Sequence, residues 1–190
     1  MDFDQAISWR GLEERLERTT DARHRKMLQT VIEHAQAESR GDVDGLMATL
    51  GDDPQYHFWN RGNDWGPKGA DGVRSYYEDF VASGAGFFES FKARVVVDDE
   101  NVVTESVMRG IVPGAVAQQR GYAIADVDAH YLVYARTAIF WPFDESGTLI
   151  GEDSYGSSDL SEFTQVPDDE LPAEYLAMLD AIGYAKATTS

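Results

Sequence analysis

Apolar residues recur with a helical period in the first half of the chain and with a strand period in the second. Between Asp21 and Arg40, the residues Met27, Leu28, Val31, Ile32 and Ala35 form one stripe of a helix. Gly41 is suited to stop that helix, and Asp42 to cap a short second one carrying Leu46, Met47 and Leu50. Asp52-Asp53-Pro54 closes the short helix, residues 55–59 predict a strand, and 60–69 form a turn-rich loop. Val73, Tyr76, Tyr77, Phe80 and Val81 predict a third helix over 70–83, ended by Gly84. Upstream, Ile7, Trp9, Leu12 and Leu16 mark a short docking helix within 5–18.

Beyond residue 86 the pattern changes. Runs rich in β-branched and aromatic residues predict strands at about 88–98, 102–112, 129–141 and 148–157. Asp98-Asp99-Glu100-Asn101 and Asp144-Glu145-Ser146-Gly147 supply two hairpin turns. The stretch 113–128 is longer than a hairpin needs and is placed over a pocket mouth. A last short helix opens at Pro172 and carries Tyr175, Leu176 and Leu179. The order implies an α+β fold, a cone in which a curved antiparallel sheet wraps three helices and leaves a cavity at one end. Residues 1–19 then form a helical arm, 20–160 the domain, and 161–190 a tail with a short helix.

Composition narrows the partners. The formal charge of −18 repels phosphate backbones and anionic lipid, so nucleic acid and membrane surfaces are not expected partners. No run approaches the roughly 20 apolar residues of a membrane span. The acidic start MDFDQAISWR is unlike a signal peptide. The absence of cysteine removes disulfides and thiol chemistry and fits a cytoplasmic location. No metal site is expected, because His24, His34, His57 and His130 lack ligand spacing. No cofactor is expected either: no GxGxxG follows a strand, and no serine elbow is present.

Three passages carry a resemblance. Gly41-Asp42-Val43-Asp44-Gly45-Leu46 is similar to a "GDLDGL" turn between two helices. Asp52-Asp53-Pro54 is similar to an "ADD" before a first strand. Gly66-Pro67-Lys68-Gly69 with Val73-Arg74-Ser75-Tyr76-Tyr77 is similar to a "G-x-x-G…I-x-x-F-Y" helix opening. In this order the chain resembles the NTF2-like, SnoaL-like superfamily over about residues 20–160. That superfamily includes polyketide cyclases, ketosteroid isomerases, scytalone dehydratases and limonene epoxide hydrolases, and its members often form homo-oligomers. The resemblance implies a dimer or trimer. The Trp-rich segment 56–69 and the long aromatic strands also resemble the γ-formaldehyde lyases. Those convert lignin-derived diarylpropane diols to stilbenes without a cofactor.

The resemblance and the register nominate the chemistry. His34 falls where isomerases place an oxyanion-donating tyrosine, and Asn60 where they place a catalytic aspartate. Tyr56, His57 and Tyr76 loosely match the tyrosine–histidine pairs of the dehydratases. Carboxyl groups directed into an apolar cone acquire raised pKa values and act as acid or base, which nominates Glu105, Glu152 and Asp153. Along the strand at 129–141, His130, Tyr134 and Arg136 share one face, with the parity of Phe140, and are placed inward. His34, Tyr56, His130 and Glu152 are the expected proton-transfer groups. Trp59, Trp65, Tyr76, Phe80, Phe88, Tyr122, Tyr134 and Trp141, with Glu105 and Arg136, are expected to hold a hydrophobic, aromatic small molecule.

Overall fold

A computed structural model describes residues 1–60, 62–156 and 163–184, with Asn60 by its backbone only. The chain runs α1 (Ile7–Glu17), α2 (Ala22–Ser39), α3 (Val43–Ala48), β1 (Leu50–Asn60), β2 (Asn63–Asp64) and α4 (Gly69–Ala82). It continues through β3 (Phe88–Val97), β4 (Asn101–Pro113), α5 (Gly114–Gln119), β5 (His130–Pro142), β6 (Leu149–Gly156), β7 (Thr164–Val166) and α6 (Ala173–Ala181). The helix boundaries follow local chemistry. Asp21 accepts a hydrogen bond from the His24 amide and caps α2, and Asp42 does the same for the Gly45 amide at α3. Gly41, at φ 63°, takes the left-handed conformation that turns the chain between them.

The strands form one curved sheet in the order β2-β1-β6-β5-β4-β3. Neighbours are antiparallel except β1 and β6, which are parallel. One long strand, β5, pairs with β6 through Thr137–Phe140 and with β7 through His130–Leu132. β1 starts earlier than the sequence predicts. Asp52-Asp53-Pro54 lies inside it, at a register shift between Leu50 and Gln55 where the missing proline N–H is tolerated.

The core sits between the concave face and the helices. Leu12 of α1 joins Met27, Leu28, Val31 and Ile32 of α2, and Val102, Trp141 and Leu149 of the sheet. Tyr56, Val73 and Tyr77 pack with Ala37 and Leu46 in a second cluster. On the other face, α6 buries Tyr175 and Leu179 against Phe87 and Ile111. Among the described residues no helix is long and apolar enough to cross a membrane.

Candidate active site

The concave face and the helices enclose a cavity of about 430 Å³. Its walls are mostly apolar: Val31 and Ala35 of α2, Phe58 of β1, Tyr76 and Phe80 of α4, and Phe88, Met108, Val133, Ile139 and Trp141 of the sheet. Ser8 and Leu12 bring α1 into the lining. Val116, Ala117, Arg120 and Tyr122 come from the long 113–128 connection, and Phe163 contacts Tyr122 at 4.7 Å between ring centroids. That volume suits a molecule of one or two rings.

Besides its tyrosines, four ionisable side chains line this apolar space: Glu38 at the end of α2, Lys92 on β3, Glu152 on β6 and, from an exposed residue after α5, Arg120. Burial raises the Glu152 carboxyl to about 8, helped by the Glu38 carboxyl and opposed by Lys92. Burial raises Glu38 to about 7, again opposed by Lys92. Burial also lowers the Lys92 ammonium to about 8, against the pull of both carboxylates. Lys92 Nζ donates to Ser90 Oγ at 3.0 Å and, among the described residues, makes no ion pair. Near pH 7 the arrangement therefore holds Glu152 mostly protonated and Glu38 about half ionised: an acid and a base in one apolar space. Tyr76 adds a hydroxyl whose pKa burial and the two carboxylates push above its ordinary value.

Phe88, Ser90 and Lys92 alternate inward along β3, and an irregularity follows them. The β3–β4 register shifts between Lys92 and Arg94, leaving Ala93 as the extra residue of a bulge. Strict alternation would put Lys92 and Arg94 on one face. Instead Lys92 lines the cavity, and Arg94 lies outside, 2.7 Å from Glu105.

Of the expected proton-transfer groups, Glu152 lines the cavity and the others do not. His34 and Tyr56 are fully buried one layer behind the wall. His34 Nδ1 lies 2.7 Å from Thr49 Oγ1, and Nε2 lies 2.9 Å from the Tyr77 hydroxyl, which is 3.0 Å from that of Tyr56. The network fixes its own protons. Thr49 donates its one proton to the Leu46 carbonyl at 2.7 Å, so His34 must donate from Nδ1. Nε2 then accepts from Tyr77, which accepts from Tyr56. Burial lowers His34 to about 3, so it stays neutral and serves the packing. His130 lies under α6, with Nδ1 2.8 Å from the Tyr175 hydroxyl. It ties down the C-terminal helix.

The inward row on β5 is also corrected. Val133, Thr137, Ile139 and Trp141 face the cavity. Tyr134, 48% exposed, and Arg136 fall on the outer face, where Phe140 is exposed as well. Arg136 and Arg94 both pair with Glu105 at 2.7 Å, so Glu105 is an outer-face carboxylate held below its ordinary pKa, chiefly by Arg136. Trp59 is exposed and stacks on His57, which bonds Asp64 at 2.7 Å; Trp65 is 72% exposed. β1 directs Phe58, not Trp59, inward. Tyr76, Phe80, Phe88, Tyr122 and Trp141 line the cavity as expected of ligand contacts. The side chain of Asn60, the isomerase-base position, lies outside the described residues. Among the described residues no three His, Asp or Glu side chains gather as a metal-ligand set.

Comparison with known proteins places this geometry. The model of the SnoaL-like domain matches residues 31–135, more than half of the chain. A candidate SnoaL-like polyketide cyclase from Shewanella denitrificans superposes with a TM-score of 0.58 at 12% identity, over 71% of this chain and 93% of that one. A phenazine biosynthesis-related protein from Pseudomonas aeruginosa gives 0.55 at 14% identity, over 81% and 94%. A candidate polyketide cyclase from Xanthomonas campestris gives 0.51 at 19% identity, over 70% and 92%. At such identities these likenesses speak for the fold alone. No curated protein matches the sequence. The cone, its element order and the matched domain together make this chain a member of the SnoaL-like family of NTF2-like proteins.

Proposed function

We propose that the cavity is the active site of a cofactor-independent acid–base enzyme, a lyase or isomerase acting on an apolar aromatic small molecule. The observation that carries this reading is the pair of carboxyls, Glu38 and Glu152, facing one apolar cavity with pKa values raised to about 7 and about 8. A structural carboxylate is normally ion-paired or solvated, whereas these two carboxyls make no ion pair among the described residues, Glu152 being hydrogen-bonded to Ser154, and that in an apolar space suits proton transfer. Glu152 donates and Glu38 accepts. Aromatic walls hold the rings, and the enclosed space excludes water.

In its finer form the reaction is the deformylation of a diarylpropane diol. With the phenol bound as its phenolate, Glu152 protonates the benzylic hydroxyl, which leaves as water and gives a quinone methide; the proton that Glu38 takes next passes back to Glu152 at the end of the cycle. Glu38 then takes the γ-hydroxyl proton. The Cβ–Cγ bond breaks, formaldehyde leaves, and its electron pair forms the stilbene double bond and restores the phenolate. A second reading uses the same pair on a polyketide-like ketone, Glu38 taking a proton beside the carbonyl and Glu152 returning one elsewhere. The names of the Shewanella and Xanthomonas neighbours favour this alternative.

The test incubates the protein with phenolic diarylpropane diols and polycyclic ketones, without metal or nucleotide, and follows products by chromatography. Turnover of one class is expected. Its kcat/KM rises as Glu38 ionises near pH 7 and falls as Glu152 ionises near pH 8, giving a narrow bell. Tight binding of one compound with no turnover in either class would make the protein a binder and overturn the reading.

A further inference from the structure

The acid–base pair does not account for Lys92. A lysine is a costly group to enclose, and its charge alone would be served as well by the lysines and arginines that pair on the surface. Lys92 instead has its own positioning. Alternation along β3 directs it inward with Phe88 and Ser90, Ser90 Oγ holds Nζ at 3.0 Å, and both cavity carboxyls act on it electrostatically without a direct ion pair. The other lysines differ. Lys26 donates to the Ser146 carbonyl and Lys68 to Asp64, both at the surface, and Lys186 lies outside the described residues.

We propose that Lys92 is a carbonyl-capturing nucleophile, forming a Schiff base with aromatic aldehydes or ketones that enter the cavity, with Glu152 and Glu38 moving the protons. The proposal rests on the acid–base reading of the cavity and adds a covalent step to it.

The step balances without a further reagent. The neutral amine attacks the carbonyl carbon, and the carbonyl π pair moves to oxygen, which takes the Glu152 proton. The Glu38 carboxylate removes one proton from the new ammonium, leaving a carbinolamine. Glu38 returns that proton to the hydroxyl, which leaves as water while the nitrogen lone pair forms C=N. The resulting iminium proton goes back to Glu152. Aldehyde plus amine becomes imine plus water, and both carboxyls end as they began. At pH 8 roughly half of Lys92 carries the free amine, against about 0.3% of a lysine at its ordinary value.

The probe is 4-hydroxybenzaldehyde with sodium cyanoborohydride, which reduces an imine to a stable secondary amine. Intact mass and peptide mapping of the full chain read the product. One adduct per chain is expected, on Lys92, with roughly tenfold or greater preference over every other lysine. Lys92→Met removes it, and Glu152→Gln slows its formation. Adducts spread over Lys26 and Lys68, or none under conditions that label them, would overturn the proposal; this readout on the unaltered protein does not depend on a variant folding. The two readings fail separately. Turnover of diols or ketones without a Lys92 adduct removes the covalent step alone, whereas an adduct without any turnover keeps the capture and removes the acid–base reading.

Discussion

Glu152→Gln is expected to abolish turnover and to stabilise the protein at the same time. Removing the cavity's acid costs roughly 10²–10⁴-fold in kcat, the usual contribution of a positioned proton donor. The stability gain follows from the direction of its pKa. Glu152 is raised from 4.5 to about 8, so the folded state binds more protons than the unfolded chain across that window. Its stabilising contribution is complete below about pH 4.5 and is lost as pH rises toward 8. Glutamine has no such dependence. The variant should therefore match the parent near pH 4 and exceed it by about 4 kcal/mol near pH 8. For a chain of this size that is a melting-temperature gain of roughly 8–16 °C, read by calorimetry across pH. Higher activity and higher stability cannot both be had at this position, as expected where a buried charge serves chemistry. A variant with near-parental kcat would remove Glu152 from the mechanism.

Tyr77→Phe should do the reverse. The change removes one oxygen and leaves two fully buried partners, His34 Nε2 and the Tyr56 hydroxyl, without the bond each now makes. An unsatisfied buried polar group costs about 1–3 kcal/mol, so a loss of about 2–4 kcal/mol is expected. The melting temperature should fall by roughly 5–15 °C. Below that transition kcat should stay within about threefold of the parent, because none of Thr49, His34, Tyr77 and Tyr56 lines the cavity. A hundredfold loss of kcat in a stable protein would instead make this chain a proton path to the substrate.

The contrast between those two sites shows what the sequence could and could not carry. Helix stripes, glycine stops and aspartate caps are local, and α2, α4 and the four long strands lie within a residue or two of their expected bounds, whereas α3 ends at Ala48 and Leu50 opens β1. Strand faces depend on register. The β5 parity was readable, but its direction was not: Phe140 looked like a core residue and lies exposed outside, taking Tyr134 and Arg136 with it. His34 stood on the right helix, yet it fills the layer behind the wall. Glu38 was findable, since it continues the stripe of Val31 and Ala35 by one more turn, and a charged residue on an apolar stripe is a signal in itself. Lys92 was findable by alternation from Phe88 through Ser90, whereas the outward Arg94 was not, because the bulge at Ala93 breaks the alternation there.

The central claim is that two carboxyls, Glu38 and Glu152, share the cavity without a cationic partner at ion-pair distance among the described residues and titrate near neutrality, and ¹³C NMR of protein labelled at the glutamate carboxyl carbons tests it without any substrate. Two resonances should titrate with midpoints near 7 and 8, one disappearing in Glu38→Gln and the other in Glu152→Gln. If every glutamate carboxyl titrates below about pH 5, as solvated or ion-paired groups do, the cavity holds no such acid–base pair and the account is wrong.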